Sequence, residues 1–239
     1  MVGAILLAAG SGSRMHGEVA DKLLHPIGNS NAFILSCQSF LQVDTVRCLV
    51  IVYKDESQLV RLKEFLSPAI SAYPHRKSTN ILWVQGGVER QDSVWAGIHA
   101  FPNEITHILV HDCARPFIQA KTIAQAVTEI IQDRAVCVAR PLKDTIRLRV
   151  EPINEPLLPT TTRTLDRTNL WLMETPQGAP IAWVREGLER ARKDGIVLTD
   201  DMAAVECLGH PVGMLEPDYP NPKITTPDDF SYAEFLIHS

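Results

Sequence analysis

Two short stretches of the chain pair exposed backbone amides with charged side chains in patterns that suit phosphate chemistry. The first is Leu7-Ala8-Ala9-Gly10-Ser11-Gly12-Ser13-Arg14-Met15, followed by Lys22. A strand that ends in small residues and glycine lets backbone N–H groups approach phosphate oxygens closely. Arg14 and Lys22 add the positive charge that a triphosphate requires. The loop is not a dinucleotide fingerprint, because Met15 stands where the last glycine belongs, and no Gly-Lys-Ser/Thr follows to make a Walker A loop. An ordinary Gly-Ser turn is the competing reading of these residues taken alone.

The second stretch is Val110-His111-Asp112-Cys113-Ala114-Arg115-Pro116, at the end of an apolar run. Carboxyl ends of strands in an open α/β sheet are where ligands bind, and a carboxylate there can hold a divalent metal or a ribose hydroxyl. Asp112 is therefore a candidate for either task, against the plainer alternative that Asp112 and Arg115 form a structural pair. His111 is expected to face the sheet. Weaker signals are spread over Gly86-Gly87, Arg90-Gln91-Asp92-Ser93, Thr175-Pro176-Gln177, Thr199-Asp200-Asp201 and Asn221-Pro222-Lys223-Ile224-Thr225. Glycines and hydroxyl residues after a strand can read a base edge, and a late lysine can face phosphates. Equally, residues 90–93 would serve as a helix start, Thr199 as the N-cap of the next helix and Lys223 as a solvated surface charge.

To act together these segments must be brought to one edge of a sheet. Short runs rich in β-branched residues at 4–8, 46–53, 80–84, 107–111 and 135–139 predict buried strands. Helical spacing at 32–41, 56–66, 91–101 and 121–132 alternates with them, and resumes at 181–192, 200–208 and 228–237. The alternation predicts an α/β fold: a single, doubly wound, mostly parallel sheet covered on both faces, within one domain spanning 1–239. Residues 140–167 break the pattern, being charged and carrying Pro141, Pro152, Pro156 and Pro159. The stretch exceeds the roughly 12 to 15 residues of a usual connection, which predicts a protruding hairpin or arm.

Composition narrows the function classes. With 45% apolar and 21% charged residues the chain can bury a substantial core, and a net charge of -5 argues against non-specific nucleic-acid binding. The five cysteines are scattered and never spaced as C-x-x-C, so no disulfide framework or zinc site is expected and a reducing cytoplasm fits. No apolar run approaches the roughly 18 residues of a membrane span. The N-terminus shows no targeting pattern; an organelle stroma stays open for a chain whose presequence has been removed.

Read in order, the segments resemble the 2-C-methyl-D-erythritol 4-phosphate cytidylyltransferase family of the non-mevalonate isoprenoid pathway. The resemblance covers essentially the whole chain. It rests on the loop from Ala8 to Met15 with Lys22, Arg90-x-Asp92-Ser93-Val94, Val110 to Pro116, Asp144-Thr145, Asp166-Arg167 with Leu170-Trp171, Thr175-Pro176-Gln177, Thr199-Asp200-Asp201 and Asn221-x-Lys223-x-Thr225. Cys113 stands where alanine is usual, Gly178-Ala179 replaces a bulkier pair, and Met202-Ala203 replaces Ala-Ser; the last bears on acceptor identity.

The resemblance implies a Rossmann-like nucleotidyltransferase with a dimerisation arm, in which an acceptor phosphate oxygen attacks the α-phosphorus of CTP and expels pyrophosphate. It implies that Arg14 and Lys22 stabilise charge on the nucleotide phosphates, while Arg167 and Lys223 position the acceptor phosphate. Asp112, Arg115, Thr145, Thr175 and Thr199 would line the acceptor pocket. Gly87, Ser93 and the backbone of Ala8, Ala9 and Gly10 would hold the cytidine. Mg²⁺ would be held mainly by the CTP phosphates, with Asp112 as a candidate further ligand, and the arm implies a homodimer. Ribitol-5-phosphate cytidylyltransferase is the nearest alternative, since that family shares fold, loop and arm. A catalytically silent nucleotide-binding regulator is a second, opposed by the retention of Arg14, Lys22, Arg167 and Lys223. An NAD-dependent dehydrogenase is opposed by Met15.

Overall fold

The structure, a computed structural model, describes residues 1–10, 21–71, 79–150 and 161–238. Its strands are β1 (Val2–Leu7), β2 (Pro26–Ile27), β3 (Ser30–Asn31), β4 (Val46–Tyr53), β5 (Asn80–Gln85) and β6 (His107–Asp112), then β7 (Ala135–Pro141), β8 (Arg147–Arg149), β9 (Thr162–Thr164), β10 (Trp171–Pro180) and β11 (Val212–Leu215). Its helices are α1 (Ala32–Leu41), α2 (Glu56–Ser71), α3 (Arg90–Ala100), α4 (Ala120–Ile130), α5 (Ile181–Asp194), α6 (Asp201–Glu206) and α7 (Asp228–Ile237).

Seven strands make the central sheet in the order β11-β7-β10-β6-β1-β4-β5. β5, β4, β1 and β6 run parallel, and β11 runs parallel to β7. The expected mostly parallel α/β sheet is present, with one departure: β10 lies between β6 and β7 and runs antiparallel to both.

Both faces of the sheet are covered, which is why its strands read as continuous apolar runs. Along β1, Val2, Ala4 and Leu6 join the core on the side of α1, α2 and α4, whereas Ile5 joins the core on the side of α3, α5 and α6. Gly3 has no side chain because Phe101 occupies its place: a Cβ there would lie 2.5 Å from the Phe101 ring.

Local chemistry starts and stops the helices. The Asn31 side chain accepts the Ile34 N–H at 2.9 Å to cap α1. Glu89 and Asp92 form a reciprocal capping box at α3, and Gly195, at φ 66, closes α5 in the left-handed region. At α6 the cap is Asp200, whose side chain accepts the Ala203 N–H at 2.9 Å, and not Thr199 as the sequence suggested.

β10 has no counterpart among the strands expected from sequence. Pro176, Gly178 and Pro180 argue against a central strand there. The structure accommodates the first by a register shift between Met173 and Gln177, so that Pro176 falls where pairing with β7 is interrupted. The peptide bond between Thr175 and Pro176 is cis. Within residues 140–167, where an arm is expected, Arg140 and Pro141 end β7 and the strands β8 and β9 pair as an antiparallel hairpin, with Arg147 opposite Thr164; residues 151–160 lie outside the described residues.

Candidate active site

A cavity of about 320 Å³ opens at the carboxyl ends of β1 and β6. The register of the parallel pair sets Leu7 beside Asp112, so the Ala8-Ala9-Gly10 backbone leaves the sheet next to the Asp112 carboxylate. Ala9 and Gly10 line the cavity, as do Gly87 from the β5–α3 connection, Arg90 and Ser93 from the start of α3, and Lys22, Lys223 and Thr225. Lys22, Arg90 and Lys223 supply three cations against the two carboxylates of Asp112 and Glu89. A protein that is acidic overall thus presents a cationic pocket of the kind that collects anions.

Each cation is placed by contacts far away in sequence. The Lys22 ammonium donates to the carbonyl of Ile224 at 3.1 Å, one residue past Lys223. Asp21 anchors the start of this segment by accepting from Gln58 at 3.1 Å and Arg61 at 3.0 Å, and Gln58 also donates to the carbonyl of Ala8 at 3.2 Å. The Ile224 N–H donates to the carbonyl of Ala114 at 2.7 Å, which carries residues 221–225 across the end of β6. Lys223 then reaches Asp112 Oδ2 at 2.6 Å.

Asp112 accepts a second cation on its other oxygen, from Arg90 Nε at 3.3 Å. Burial alone would raise its pKa. Arg90 and Lys223 outweigh that, and hold the carboxyl well below the usual carboxylate range. The two guanidinium Nη groups of Arg90 fork onto Asp201 at 2.8 and 2.7 Å. Local sequence marks Arg90 and Asp201 only as members of weak segments, and Asp112 pairs with Arg90 and Lys223 and not with Arg115.

Arg115 donates to the carbonyls of Asn221 at 2.9 Å and Met173 at 3.3 Å. Asn221 is buried and donates to Glu174 Oε2 at 3.0 Å and to the carbonyl of Thr175 at 2.9 Å. These contacts tie the Lys223 segment to β10. Thr175, expected to line the acceptor pocket, is only 4% exposed. Its hydroxyl accepts the Asp112 N–H at 3.1 Å and lies 3.0 Å from His111 Nδ1. His111 Nε2 lies 3.1 Å from the carbonyl of Arg115, which can only accept. Nε2 therefore carries the proton, Nδ1 accepts from Thr175, and the imidazole is neutral. Burial lowers the His111 pKa to about 4, in keeping with that assignment. His111 faces the sheet interior, 5.2 Å from the ring of Phe40, as expected.

Gln177 completes this inner layer. Its side-chain carbonyl accepts the N–H groups of Asp201 at 2.9 Å and Met202 at 3.1 Å, fixing the start of α6. On the other side of the cavity, a Cβ on Gly86 would lie 2.7 Å from both Ala9 Cβ and Ser93 Oγ, and one on Gly87 would lie 2.3 Å from Asp92 Cβ. Only glycine fits between the first loop and α3.

The structure thus gathers Ala9, Gly10, Lys22, Gly87, Ser93, Asp112 and Lys223 around one cavity, with Ala8 buried directly beneath. Thr145, Arg167 and Thr199 are exposed and do not line it. Arg167 donates to the carbonyl of Lys143 within its own arm. Arg14 lies outside the described residues. Among those described, no three His, Cys, Asp or Glu side chains cluster as a metal cage, and no helix is long and apolar enough to cross a membrane.

Comparison with known proteins places these features in a family. Residues 2–239 match the family described as IspD, 2-C-methyl-D-erythritol 4-phosphate cytidylyltransferase. A protein of that name from Prochlorococcus marinus is 34% identical over 233 residues, covering 98% of this chain and 96% of its own. A solved structure of the enzyme of that name from Thermus thermophilus superposes with a TM-score of 0.74 at 26% identity, over 100% of both chains. A solved 4-diphosphocytidyl-2C-methyl-D-erythritol synthase from Anaerococcus prevotii superposes at 0.82 with 22% identity, over 100% of this chain and 96% of that one, and bears on the fold.

Proposed function

Because the chain belongs to the 2-C-methyl-D-erythritol 4-phosphate cytidylyltransferase family, we propose that it transfers the cytidylyl group of CTP to 2-C-methyl-D-erythritol 4-phosphate. The products are pyrophosphate and 4-diphosphocytidyl-2-C-methyl-D-erythritol, an isoprenoid precursor. The observation that carries the mechanism is the convergence of Lys22 and Lys223 over the Ala8-Ala9-Gly10 loop, through the bond from Lys22 to the carbonyl next to Lys223.

The acceptor is a phosphate monoester and already an anion at neutral pH, so the attacking oxygen needs no strong base. Catalysis then rests on alignment and on charge placed in advance where it develops. Lys22 faces the nucleotide phosphates, and it and Arg14 have the role of stabilising the departing pyrophosphate. Lys223 sits beside Asp112 on the acceptor side and steers the incoming phosphate. Gly87 and Ser93, with the backbone of Ala8, Ala9 and Gly10, form a close-fitting slot for the cytidine. Arg115, Thr175 and Thr199 belong to the acceptor side; Thr175 acts from behind by fixing the backbone of Asp112.

Mg²⁺ fits this donor set in one way: among the described residues the cavity is lined by the carboxylates of Glu89 and Asp112 alone, and Asp112 is already paired with Arg90 and Lys223, so the ion would be held mainly by oxygens of the nucleotide. When bound, it neutralises phosphate charge in the transition state.

Thr145 and Arg167 stand on or beside the β8–β9 hairpin, away from the cavity of their own chain. That placement supports a homodimer in which each arm reaches the partner's acceptor site. The cytoplasm, or an organelle stroma after removal of a presequence, supplies both substrates. Pyrophosphate release from CTP and Mg²⁺, measured with 2-C-methyl-D-erythritol 4-phosphate and with ribitol 5-phosphate, tests the reading. Faster release with the methylerythritol acceptor is the expected result, and equal or faster release with ribitol 5-phosphate would overturn the acceptor assignment.

A further inference from the structure

We propose that Arg90 is a positioning residue for this reaction, acting through Asp112 to make Lys223 available to a substrate phosphate, and that Asp201 exists to hold Arg90 in that place. The inference rests on the functional reading above. The four groups form an unbroken chain of alternating charge. Asp201 grips both Nη groups of Arg90, Arg90 Nε reaches one oxygen of Asp112, and Lys223 reaches the other.

The side chains of Asp201 and Asp112 are 2% and 11% exposed, so water can compensate little of either charge. A buried carboxylate deprived of its cation is strongly unfavourable. If Lys223 were the sole cation on Asp112, moving its ammonium to a phosphate would strand that charge. Arg90 removes the obstacle: while Lys223 leans toward a phosphate, Asp112 keeps one cation. The exchange requires that Arg90 stay where it is. Asp201 ensures this with a two-oxygen fork, and Gln177 in turn pins the backbone of Asp201.

The same chain joins the two halves of the site. Arg90 opens α3, three residues before Ser93 on the nucleotide side. Asp201 opens α6, two residues after Thr199. Only arginine can serve as the joint, since three coplanar donors are needed on two carboxylates and a lysine ammonium cannot span both.

A double-mutant cycle tests the proposal. Wild type, Arg90→Met, Asp112→Asn and the double variant are compared for pyrophosphate release, with kcat and the KM for CTP resolved separately. Arg90→Met is expected to lower kcat about 10- to 100-fold with little change in KM for CTP. In the Asp112→Asn background it should cost less than about twofold, because the group it acts on is gone. Equal losses in both backgrounds, or a loss confined to KM, would overturn the proposal in favour of direct substrate contact or general support of the fold. Asp201→Asn, which keeps Arg90 and Asp112 but loosens the fork, should lower kcat in the same direction, and an unchanged kcat in that variant would also count against it. An inactive wild type would sink the functional reading itself. In that event the melting temperatures of the ligand-free proteins still score the fork: Arg90→Met and Asp201→Asn should each lower Tm by roughly 10 °C and be non-additive, and additive losses would refute the coupling.

Discussion

Thr175 and Asp112 lie 63 residues apart on neighbouring antiparallel strands, and the Thr175 hydroxyl accepts the backbone N–H of Asp112 at 3.1 Å. Because the same hydroxyl serves His111 Nδ1, one small side chain on β10 satisfies two buried groups beneath the site. Thr175→Val keeps the shape and removes both bonds. It is expected to destabilise the fold by about 1–3 kcal/mol and to lower turnover, whereas Thr175→Ser should retain most of both. Urea unfolding of the two variants decides the matter, and a valine variant as stable as wild type would show that these bonds carry no weight.

The neutral His111 gives the protein a pH signature. Its folded pKa is lowered to about 4 by burial, below the roughly 6.5 of an unfolded chain. Below pH 6.5 the unfolded state therefore binds the proton first. The contribution is fully present above that pH and is lost as pH falls toward 4, by on the order of 3 kcal/mol. Nearby Asp112 favours protonation and Arg115 opposes it, and these work against and with burial respectively. Stability curves of wild type and His111→Asn between pH 7 and 4 should diverge, the variant having the shallower slope; parallel curves would contradict the assignment.

Gly86 is wedged between Ala9 of the first loop and Ser93 of α3. In Gly86→Ala the new methyl would sit 2.7 Å from Ala9 Cβ and from Ser93 Oγ, and relieving the contact must spread the slot proposed for the cytidine. Overpacking of this kind costs about 1–3 kcal/mol, so the KM for CTP should rise about tenfold or more while the KM for the acceptor moves less. A variant with an unaltered KM for CTP would place the nucleotide elsewhere.

The shared site can be tested with two inactive proteins. Lys22→Ala should lose about 100- to 1,000-fold in kcat, the cost of removing one charge-stabilising donor, and Arg167→Ala should also be severely impaired. If the proposed dimer shares its sites, co-expression gives mixed dimers in which one site holds both defects and the other none. With random pairing, activity returns to roughly a quarter of wild type. Mixed dimers that show no recovery would mean that Arg167 serves its own chain.

The parallel half of the fold is legible in the sequence because its strands are buried on both faces. The runs at 46–53 and 107–111 stand out as apolar blocks, and the strands there differ from them by at most one residue. Hydrophobic period fails at β10, where Pro176, Gly178 and the polar Glu174, Thr175 and Gln177 conceal a central strand whose polar groups are satisfied inside the protein. The loop glycines and Lys22 announce themselves through local composition. Arg90 and Asp201 do not, since their partnership spans 111 residues and neither environment is unusual by itself. Thr175 was visible as part of Thr-Pro-Gln, but only the packing shows that its hydroxyl points inward.

The antiparallel placement of β10 also dictates when the sheet can close during synthesis. Among the described residues, β7 pairs with no strand made before it; its sheet neighbours are β10 and β11, both later in the chain. Until β10 has left the ribosome, β6 keeps one open edge, and Asp112 at its end lacks Thr175 as well as Lys223. A nascent chain ending before residue 171 can therefore pair four strands of the central sheet but assemble no pocket, and the chemistry arrives only with the last third of the polypeptide.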